Sequence, residues 1–224
     1  MGFFGNLFRD KSRDDEFVKL CSNGSLVQVK EALSSWGYVK AKDKNSATPV
    51  MTAAMNGDLG IIRLILEKLG RDSSFVNLSD SKKFTALHYA VTFNPKHEII
   101  NILLNAGASL DSQEEHGMTP LMAALNLNQS EKAKILIEAS KKSKADINAA
   151  DSENWRALHY AALRSSFPEI ITLLVEAGAK TELRNSANST PLMMSLNNKN
   201  VEIHEVPHKK REQIQTLRTQ RVCR

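Results

Sequence analysis

Apolar residues recur with helical spacing in three similar runs of the chain. At residues 61–66, 99–104 and 170–175, two aliphatic residues are followed, after one polar position, by three more. Such a run places one apolar face on a helix of 3.6 residues per turn. Two of these runs are preceded by paired small residues, Ala53-Ala54 and Ala161-Ala162, which allow a neighbouring helix to approach closely. The pattern therefore predicts short helices arranged in antiparallel pairs, with longer loops expected at 71–77 and 141–145.

The predicted helix pairs repeat along the chain. Residues 86–90, Ala-Leu-His-Tyr-Ala, return unchanged at 157–161, which is 71 residues further on. Within each 71-residue block there is a half-copy, so that one equivalent position recurs with alternating spacings of 37 and 34 residues. The residues at this position are Thr48, Thr85, Thr119, Arg156 and Thr190. A period in the thirties is typical of a stacked array of repeats. The sequence therefore predicts an all-α solenoid of stacked helix-turn-helix units.

Each repeat begins and ends with recognisable helix signals. A threonine that can cap free amides is usually followed by proline, which suits the first helical position. A Gly-Ala pair, at 107–108 and 178–179, stands where a second helix should end. In these features the chain resembles the ankyrin repeat family. The resemblance rests on Thr48-Pro49-Val50-Met51, Thr85-Ala86-Leu87-His88, Thr119-Pro120-Leu121-Met122, Ala157-Leu158-His159 and Thr190-Pro191-Leu192-Met193.

The resemblance implies an ankyrin-repeat solenoid with turns or hairpins projecting from the stacked helix pairs. Residues 15–203 are assigned to the array, with an N-terminal cap at 15–42 and repeats from about 43, 80, 114, 151 and 185. Residues 1–14 are expected to be an N-terminal arm, partly disordered, that contains Phe3, Phe4 and Phe8. Residues 204–224 form a basic C-terminal tail. Because Ala86 and Ala157 replace the usual proline, and Arg156 replaces threonine, two helix starts are expected to be less tightly capped.

The last repeat departs from the pattern. Its first helix begins well, but Pro207 and a polar run replace the expected aliphatic row. The side chains of Leu192, Leu196 and Ile203 should therefore be partly uncovered. Two interpretations stay open: the end is truncated or poorly ordered, or a weak amphipathic helix folds back over it. The apolar residues of such a helix would be Ile214, Leu217 and Val222.

Charge and cysteine content narrow the classes of partner. The net charge is +5, of which residues 199–224 carry +4, so the array itself is nearly neutral. A nearly neutral array disfavours nucleic acid, although the basic tail leaves a weak possibility of contact with an acidic surface. No apolar run approaches the roughly 18 residues of a transmembrane segment. Cys21 and Cys223 lie near opposite ends of the chain, which argues against a disulfide and favours a reducing, cytoplasmic location.

No residue pattern favours catalysis, a metal or a cofactor. The segment His204-Glu205-Val206-Pro207-His208 matches a zinc-protease pattern, but Pro207 would interrupt the helix that must hold both histidines. His88 and His159 occur in the repeated motif, so we expect them to hydrogen-bond neighbouring turns as part of the framework. The sequence therefore predicts a protein that is not an enzyme, with no cofactor and no metal.

The position just before each repeat's threonine is a candidate binding position. The resemblance implies that this residue faces a partner on the concave side, and here the residues are Ala47, Phe84, Met118, Trp155 and Ser189. Three of them are large and apolar, and Tyr89 and Tyr160 should line the same hollow. Lys82, Glu115 and Glu153 belong to a rim that changes from basic to acidic along the array. Alternatively, each ring packs on its own repeat and serves only folding.

The candidate positions give two hypotheses about function. The first is a non-enzymatic interaction module or scaffold that binds a partner polypeptide in the concave groove of the array. The second is that the array is the targeting or adaptor portion of a longer protein or complex whose activity lies elsewhere. Because ankyrin arrays serve many functions, the fold does not choose between them.

Overall fold

The computed structural model describes residues 11–35, 37–70, 73–164 and 168–197. In these residues the regular structure is helical, with one isolated antiparallel bridge between Ser79 and Thr85. The chain divides into two units, residues 1–115 and 116–224. The helices of the first unit are α1 (Lys11–Asn23), α2 (Leu26–Ser35), α3 (Pro49–Met55), α4 (Leu59–Leu69), α5 (Ser73–Val76), α6 (Ala86–Phe93) and α7 (Glu98–Asn105). Those of the second are α8 (Pro120–Asn126), α9 (Ser130–Ser143), α10 (Ala157–Arg164), α11 (Pro168–Glu176) and α12 (Pro191–Asn197).

Both units are built as the repeat pattern predicts. In the first unit, α1 packs on α3 and α3 on α6, while α4 and α7 lie against the first helices of their own repeats. In the second unit, α8 packs on α10 and α10 on α12, with α9 and α11 as the second helices. Aliphatic side chains from both helices of each pair, such as Ile61, Leu87 and Leu174, are fully buried. The predicted all-α solenoid of helix-turn-helix repeats is confirmed.

Some boundaries differ from those expected. Helix α1 begins at Lys11, four residues before the predicted cap, and Asp14 in its first turn suits the positive end of the helix dipole. The expected loop at 71–77 contains the short helix α5, whose Val76 is buried. Helix α9 continues to Ser143, into the other expected loop. The three phenylalanines of the N-terminal arm, Phe3, Phe4 and Phe8, and the whole basic tail lie outside the described residues.

At the starts of α6 and α10, which lack proline, a histidine side chain accepts a hydrogen bond from the backbone. The backbone N–H of Thr85 donates to Nδ1 of His88 at 3.3 Å, and the N–H of Arg156 donates to Nδ1 of His159 at 3.2 Å. A side chain at the third helical position therefore satisfies a backbone donor just outside each helix, as in a capping box. The expectation of weaker capping at α6 and α10 overlooked this contribution of the two histidines.

A tight turn precedes the first helix of each repeat, and in the turns before α3, α6, α10 and α12 an aspartate or asparagine side chain organises it. In the turn before α6, Oδ1 of Asp80 accepts hydrogen bonds from the N–H groups of Lys82 (2.8 Å) and Phe84 (2.9 Å). In the turn before α10, Oδ1 of Asp151 accepts from those of Glu153 (2.9 Å) and Trp155 (2.8 Å). One carboxylate oxygen thus replaces the water that would otherwise solvate two backbone donors.

The second oxygen of each carboxylate is also bonded. The hydroxyl of Tyr89 donates to Oδ2 of Asp80 at 2.7 Å, and the hydroxyl of Tyr160 donates to Oδ2 of Asp151 at 2.6 Å. Each tyrosine belongs to the helix that follows the turn. The bond therefore fixes the turn relative to the first turns of that helix.

Neighbouring turns are joined through their backbones. In the first unit, the N–H of Ser81 donates to the carbonyl of Asn45 at 2.8 Å, and that of Glu115 to the carbonyl of Lys82 at 3.0 Å. In the second unit, the N–H of Ser152 donates to the carbonyl of His116 at 2.9 Å. The N–H of Ser186 likewise donates to the carbonyl of Glu153 at 2.9 Å. Within each unit the projecting turns therefore lie side by side.

Every one of these turns contains a residue with positive φ. In the first unit these residues are Ser46 (64°) and Lys83 (61°), and in the second Gly117 (80°), Asn154 (57°) and Asn188 (58°). At Gly117 a Cβ atom would lie 2.9 Å from both the Cα of Asp151 and the backbone nitrogen of Ser152. The absence of a side chain at 117 therefore lets one turn approach the next.

We predict that Gly117→Ala lowers the stability of the fold more than Gly178→Ala. Both substitutions place alanine at positive φ, which costs about 1–2 kcal/mol, but nothing lies within 4 Å of a Cβ atom at Gly178. The collision with the adjacent turn should add roughly 1–3 kcal/mol at position 117. Chemical denaturation of both variants measures the difference, and equal losses would contradict the close approach between turns.

We predict a graded effect at Asp151. Asparagine keeps the oxygen that organises the turn, as Asn185 does in the next turn by accepting from the N–H of Ser189 at 2.9 Å. Asp151→Asn should therefore cost only about 1 kcal/mol, through the weaker bond with Tyr160, whereas Asp151→Ala should cost about 3 kcal/mol. In a Tyr160→Phe background the cost of Asp151→Asn should nearly vanish in unfolding measurements. Equal costs for the two substitutions would show that the turn does not depend on this oxygen.

Candidate functional site

Three aromatic side chains form a row in the first unit. The ring centroids of Phe84 and Tyr89 are 6.0 Å apart with planes at 81°, and those of Tyr89 and Phe93 are 5.7 Å apart at 51°. Phe84 and Tyr89 are partly buried, while Phe93 is 52% exposed. The row therefore runs from the turn along one side of α6 and ends in an exposed ring. We call these three residues the aromatic row.

The second unit carries an aromatic pair at the corresponding place. The rings of Trp155 and Tyr160 are 5.1 Å apart, and Trp155 also lies 6.1 Å from the ring of His159. Trp155 and Tyr160 are both partly buried. Met118, which directly precedes the helix-capping Thr119, is partly buried as well. The hydroxyl bond to Asp151 holds Tyr160 in place, and Tyr160 in turn supports Trp155.

These contacts bear on both interpretations of the apolar turn residues. Phe84 and Trp155 pack against rings of their own repeats, yet neither is sealed from solvent. Packing and partial exposure therefore coexist at both positions. One continuous stripe through Phe84, Met118 and Trp155 stays a prediction, because Phe84 belongs to the first unit and the other two to the second.

The repeated histidines are framework groups. His159 is buried, and its Nε2 lies 3.2 Å from the carbonyl of Ser189 in the next turn, while Nδ1 accepts from the backbone of Arg156. This arrangement requires the neutral tautomer with the proton on Nε2. Burial lowers the pKa of His159, which agrees with a neutral ring. His88 is equally buried, and its Nδ1 lies 2.9 Å from the hydroxyl of Thr85.

Three charged residues of the projecting turns are exposed. Lys82, Glu115 and Glu153 are exposed on their turns, as expected of rim positions.

Burial raises the pKa of Tyr89 above its usual range, and the hydrogen bond to Asp80 and the charges of Asp80 and Asp43 raise it further. The phenol therefore stays protonated and remains a donor to the turn at physiological pH.

The described residues give little basis for a metal site. Glu114, Glu115 and His116 are consecutive potential ligands, but two of them are exposed, and such groups are common on surfaces that hold no ion. The zinc-like motif at 204–208 lies outside the described residues. In the part of the chain that is described, no helix is both long and apolar enough to cross a bilayer.

Sequence patterns missed Phe93, the most exposed aromatic side chain among the described residues. Phe93 lies four residues after Tyr89, so both belong to one side of α6. The spacing of four residues would predict that Phe93 lies beside Tyr89. The repeat pattern, by contrast, indicates only the residue before each threonine. Leu192 is 39% exposed, in agreement with the expectation that it is partly uncovered, while the side chain of Leu196 and all of Ile203 are outside the described residues.

Comparisons with known proteins agree with the fold. A family model described as "Ankyrin repeats (3 copies)" matches residues 17–114 and 92–185. The chain is 27% identical to the B-cell lymphoma 3 protein homolog of Mus musculus over 73% of its own length and 35% of the relative's. It is 30% identical to the neurogenic locus notch homolog protein 1 of Mus musculus over 68% of its length and 6% of the relative's. The chain thus spans about a third or less of these curated relatives.

A solved structure shows the same architecture in a protein complex. One chain in the complex of the Bd0816 predatory endopeptidase from Bdellovibrio bacteriovorus with the immunity protein Bd3460 superposes with a TM-score of 0.71 and 27% identity. The match covers 87% of the present chain and 97% of that chain. With stacked helix pairs in both units and a family match across most of its length, the chain belongs to the ankyrin repeat family.

Proposed function

We propose that the chain is a non-enzymatic scaffold that binds another polypeptide through its projecting turns and first helices. This side of each repeat, which we call the binding face, is the side that the resemblance assigns to the concave groove. Its apolar anchors are the aromatic row in the first unit and Trp155 with Tyr160 in the second. An extended segment or a loop of the partner is the expected ligand.

The observation that carries the proposal is the fixed arrangement of the turns. Backbone hydrogen bonds join adjacent turns within each unit, and Asp80 and Asp151 tie their turns to a tyrosine. The anchors therefore lose little conformational freedom when a partner binds, which is the main cost that reduces affinity. Partly exposed aromatic rings on a rigid support are typical of the residues that dominate binding energy.

The ionisable groups of the repeats favour recognition without chemistry. Burial raises the pKa of Cys21 to about 12, so its thiol is protonated and a poor nucleophile at neutral pH. His159 is held neutral between two backbone groups and has no free nitrogen to act as a base. The matched chain of the solved structure also occurs in a complex of two proteins. A standard interface on the binding face would bury about 800 Å² per partner.

A second candidate is the targeting or adaptor portion of a longer protein. The low coverage of the relatives favours it, because those proteins extend well beyond the part that resembles this chain. Detection of the endogenous protein with an antibody to the repeats would test this alternative. A product much larger than 24.9 kDa would support it, and one of that size would contradict it.

The proposal predicts that removing an anchor weakens binding without unfolding the protein. Peptides selected from a random displayed library against the wild-type chain should bind Trp155→Ala and Phe84→Ala about 30-fold more weakly, equivalent to about 2 kcal/mol. Val27→Ala is the matched control, because Val27 is an apolar residue, 63% exposed, on the second helix α2. Its affinity should change less than about twofold.

Calorimetric titration of each variant provides the measurement, and circular dichroism checks the fold. If Trp155→Ala does not fold, Trp155→Phe keeps part of the ring contact and should lose a smaller share of the affinity. Selected peptides that bind all variants equally well would reject the binding face as the site.

A further inference from the structure

We infer that the first unit's projecting turns form a docking surface for an acidic polypeptide segment. This inference rests on the proposed binding function and specifies the chemistry of the partner. The surface consists of Lys44, Lys82 and Lys83, which we call the basic apex, beside the aromatic row. The expected ligand carries several carboxylates close to bulky apolar side chains.

The three lysines lie in two joined turns and are exposed. The first turn is closed by the N–H of Ser46, which donates to the carbonyl of Asp43 at 2.9 Å, with Lys44 at its tip. The second is closed by the N–H of Lys83, which donates to the carbonyl of Asp80 at 3.0 Å, with Lys82 at its tip. Because Ser81 donates to Asn45 between the two turns, the lysine side chains start from one continuous stretch of backbone.

The carboxylates of Asp43 and Asp80 already accept hydrogen bonds from groups of their own repeats. Oδ1 of Asp43 accepts from the N–H groups of Asn45 and Ala47, each at 2.8 Å. Oδ1 of Asp80 accepts two backbone N–H groups, and Oδ2 accepts the hydroxyl of Tyr89. Both residues are only partly exposed, whereas the three lysines are exposed. The turns thus hold their negative charge at the base and present positive charge at the tip.

Within the described residues, the lysines of the basic apex form no ion pairs. No carboxylate of that part of the chain lies within ion-pair distance of the ammonium groups of Lys44, Lys82 or Lys83. By contrast, Nζ of Lys134 lies 2.6 Å from Glu169, and Nζ of Lys141 lies 2.7 Å from Glu138. The apex ammonium groups therefore keep their charge available to a ligand.

The charge is a property of this unit and not of the repeat architecture. At the tips of the turns before α10 and α12 in the second unit stand Ser152 and Glu153, then Ser186 and Ala187. Those positions carry one acid and no base. Because the backbone geometry is the same, nothing in the turn itself demands lysine at the first unit's tips.

The basic apex continues directly into the aromatic row. Phe84 follows Lys83 in the chain and contacts Tyr89, which contacts the exposed Phe93. A ligand that follows this surface meets positive charge first and aromatic rings next. Carboxylates would steer it and fix its direction, while apolar side chains would supply most of the affinity.

A polypeptide fits this surface better than a nucleic acid does. Asp15 and Glu115 are exposed beside the apex: Oδ1 of Asp15 accepts the N–H of Lys44 at 2.9 Å, and Glu115 donates its N–H to Lys82. These acids limit the positive surface to a short patch, whereas a phosphate backbone requires a long basic stripe. Lysine ammonium groups also act as flexible point charges that accept carboxylates in varied positions.

The test compares three peptides of equal length whose leucine and phenylalanine positions are the same. The remaining positions are aspartate and glutamate in the first peptide, asparagine and glutamine in the second, and lysine in the third. Fluorescence anisotropy measures the affinity of each for the full chain at about 50 mM and about 500 mM salt. The acidic peptide should bind at least about tenfold more tightly than the neutral one at low salt, and the preference should shrink at high salt.

Two charge-reversed variants identify the surface. The triple variant Lys44→Glu, Lys82→Glu and Lys83→Glu should lose at least about tenfold in affinity for the acidic peptide. The control triple, Lys19→Glu, Lys30→Glu and Lys68→Glu, changes the net charge equally at exposed helix positions of the same unit. It should retain nearly full affinity, which would separate a local surface from the general effect of charge.

The outcomes separate this inference from the proposed function. Equal binding of the acidic and neutral peptides, with dependence on Phe84, would overturn the inference and leave the binding face intact. Equal losses in the two triple variants would also overturn it. A single-stranded oligonucleotide or phosphatidylserine vesicles that bind through the apex lysines, while the acidic peptide does not, would assign the surface to nucleic acid or lipid instead.

Discussion

Burial of each first helix by the first helix of the next repeat is the interaction on which the rest of each unit depends. A short helix pair cannot enclose an apolar core alone, so it is stable only with a neighbour. The second residue of the first helix shows this clearly. Val50, Leu121 and Leu158, on α3, α8 and α10, have at most 6% exposure, whereas Leu192, at the same position of α12 in the last described repeat, is 39% exposed. This position is buried in α3, α8 and α10, each of which has the next first helix of its own unit packed against it.

Stacking also fixes the position of the turns that belong to the proposed binding face. Since the first helices must lie side by side to bury these residues, their preceding turns become neighbours and join through backbone hydrogen bonds. A turn with two internal carboxylate bonds and one external backbone bond has few alternative conformations. Its side chains therefore start from fixed positions, and a partner need not order the backbone when it binds. The binding face follows from packing rather than from any local preference of the turn residues.

The fold was largely predictable because its signals are repeated, while the site was predictable only in part. Threonine, proline and glycine at fixed intervals define the helix pairs, and five copies reinforce one another. The helix α5 and the exposure of Phe93 each occur in a single repeat, so repetition gives no support, and the histidine contacts at α6 and α10 depend on which atom each ring nitrogen meets. The turn position predicts Phe84, Met118 and Trp155 as candidates, and the neighbouring position in the first helices adds Tyr89 and Tyr160. Their support by Asp80 and Asp151 requires the second carboxylate oxygen to face the tyrosine, which only the structure shows.

The side chains at the tips of the turns differ between the two units, although the backbone geometry of the turns is the same. Aspartate at the base of a turn is constrained by three hydrogen bonds, and the residue at positive φ is constrained by the backbone. Positions between them, such as Lys82 and Glu153, make no side-chain contact that the turn requires. Opposite charges can therefore occupy these positions in the two units without altering the geometry. We expect specificity in such an array to depend on these tip positions and on the aromatic side chains beside them, since the aspartates and the backbone geometry of the turns are needed to hold the repeats together.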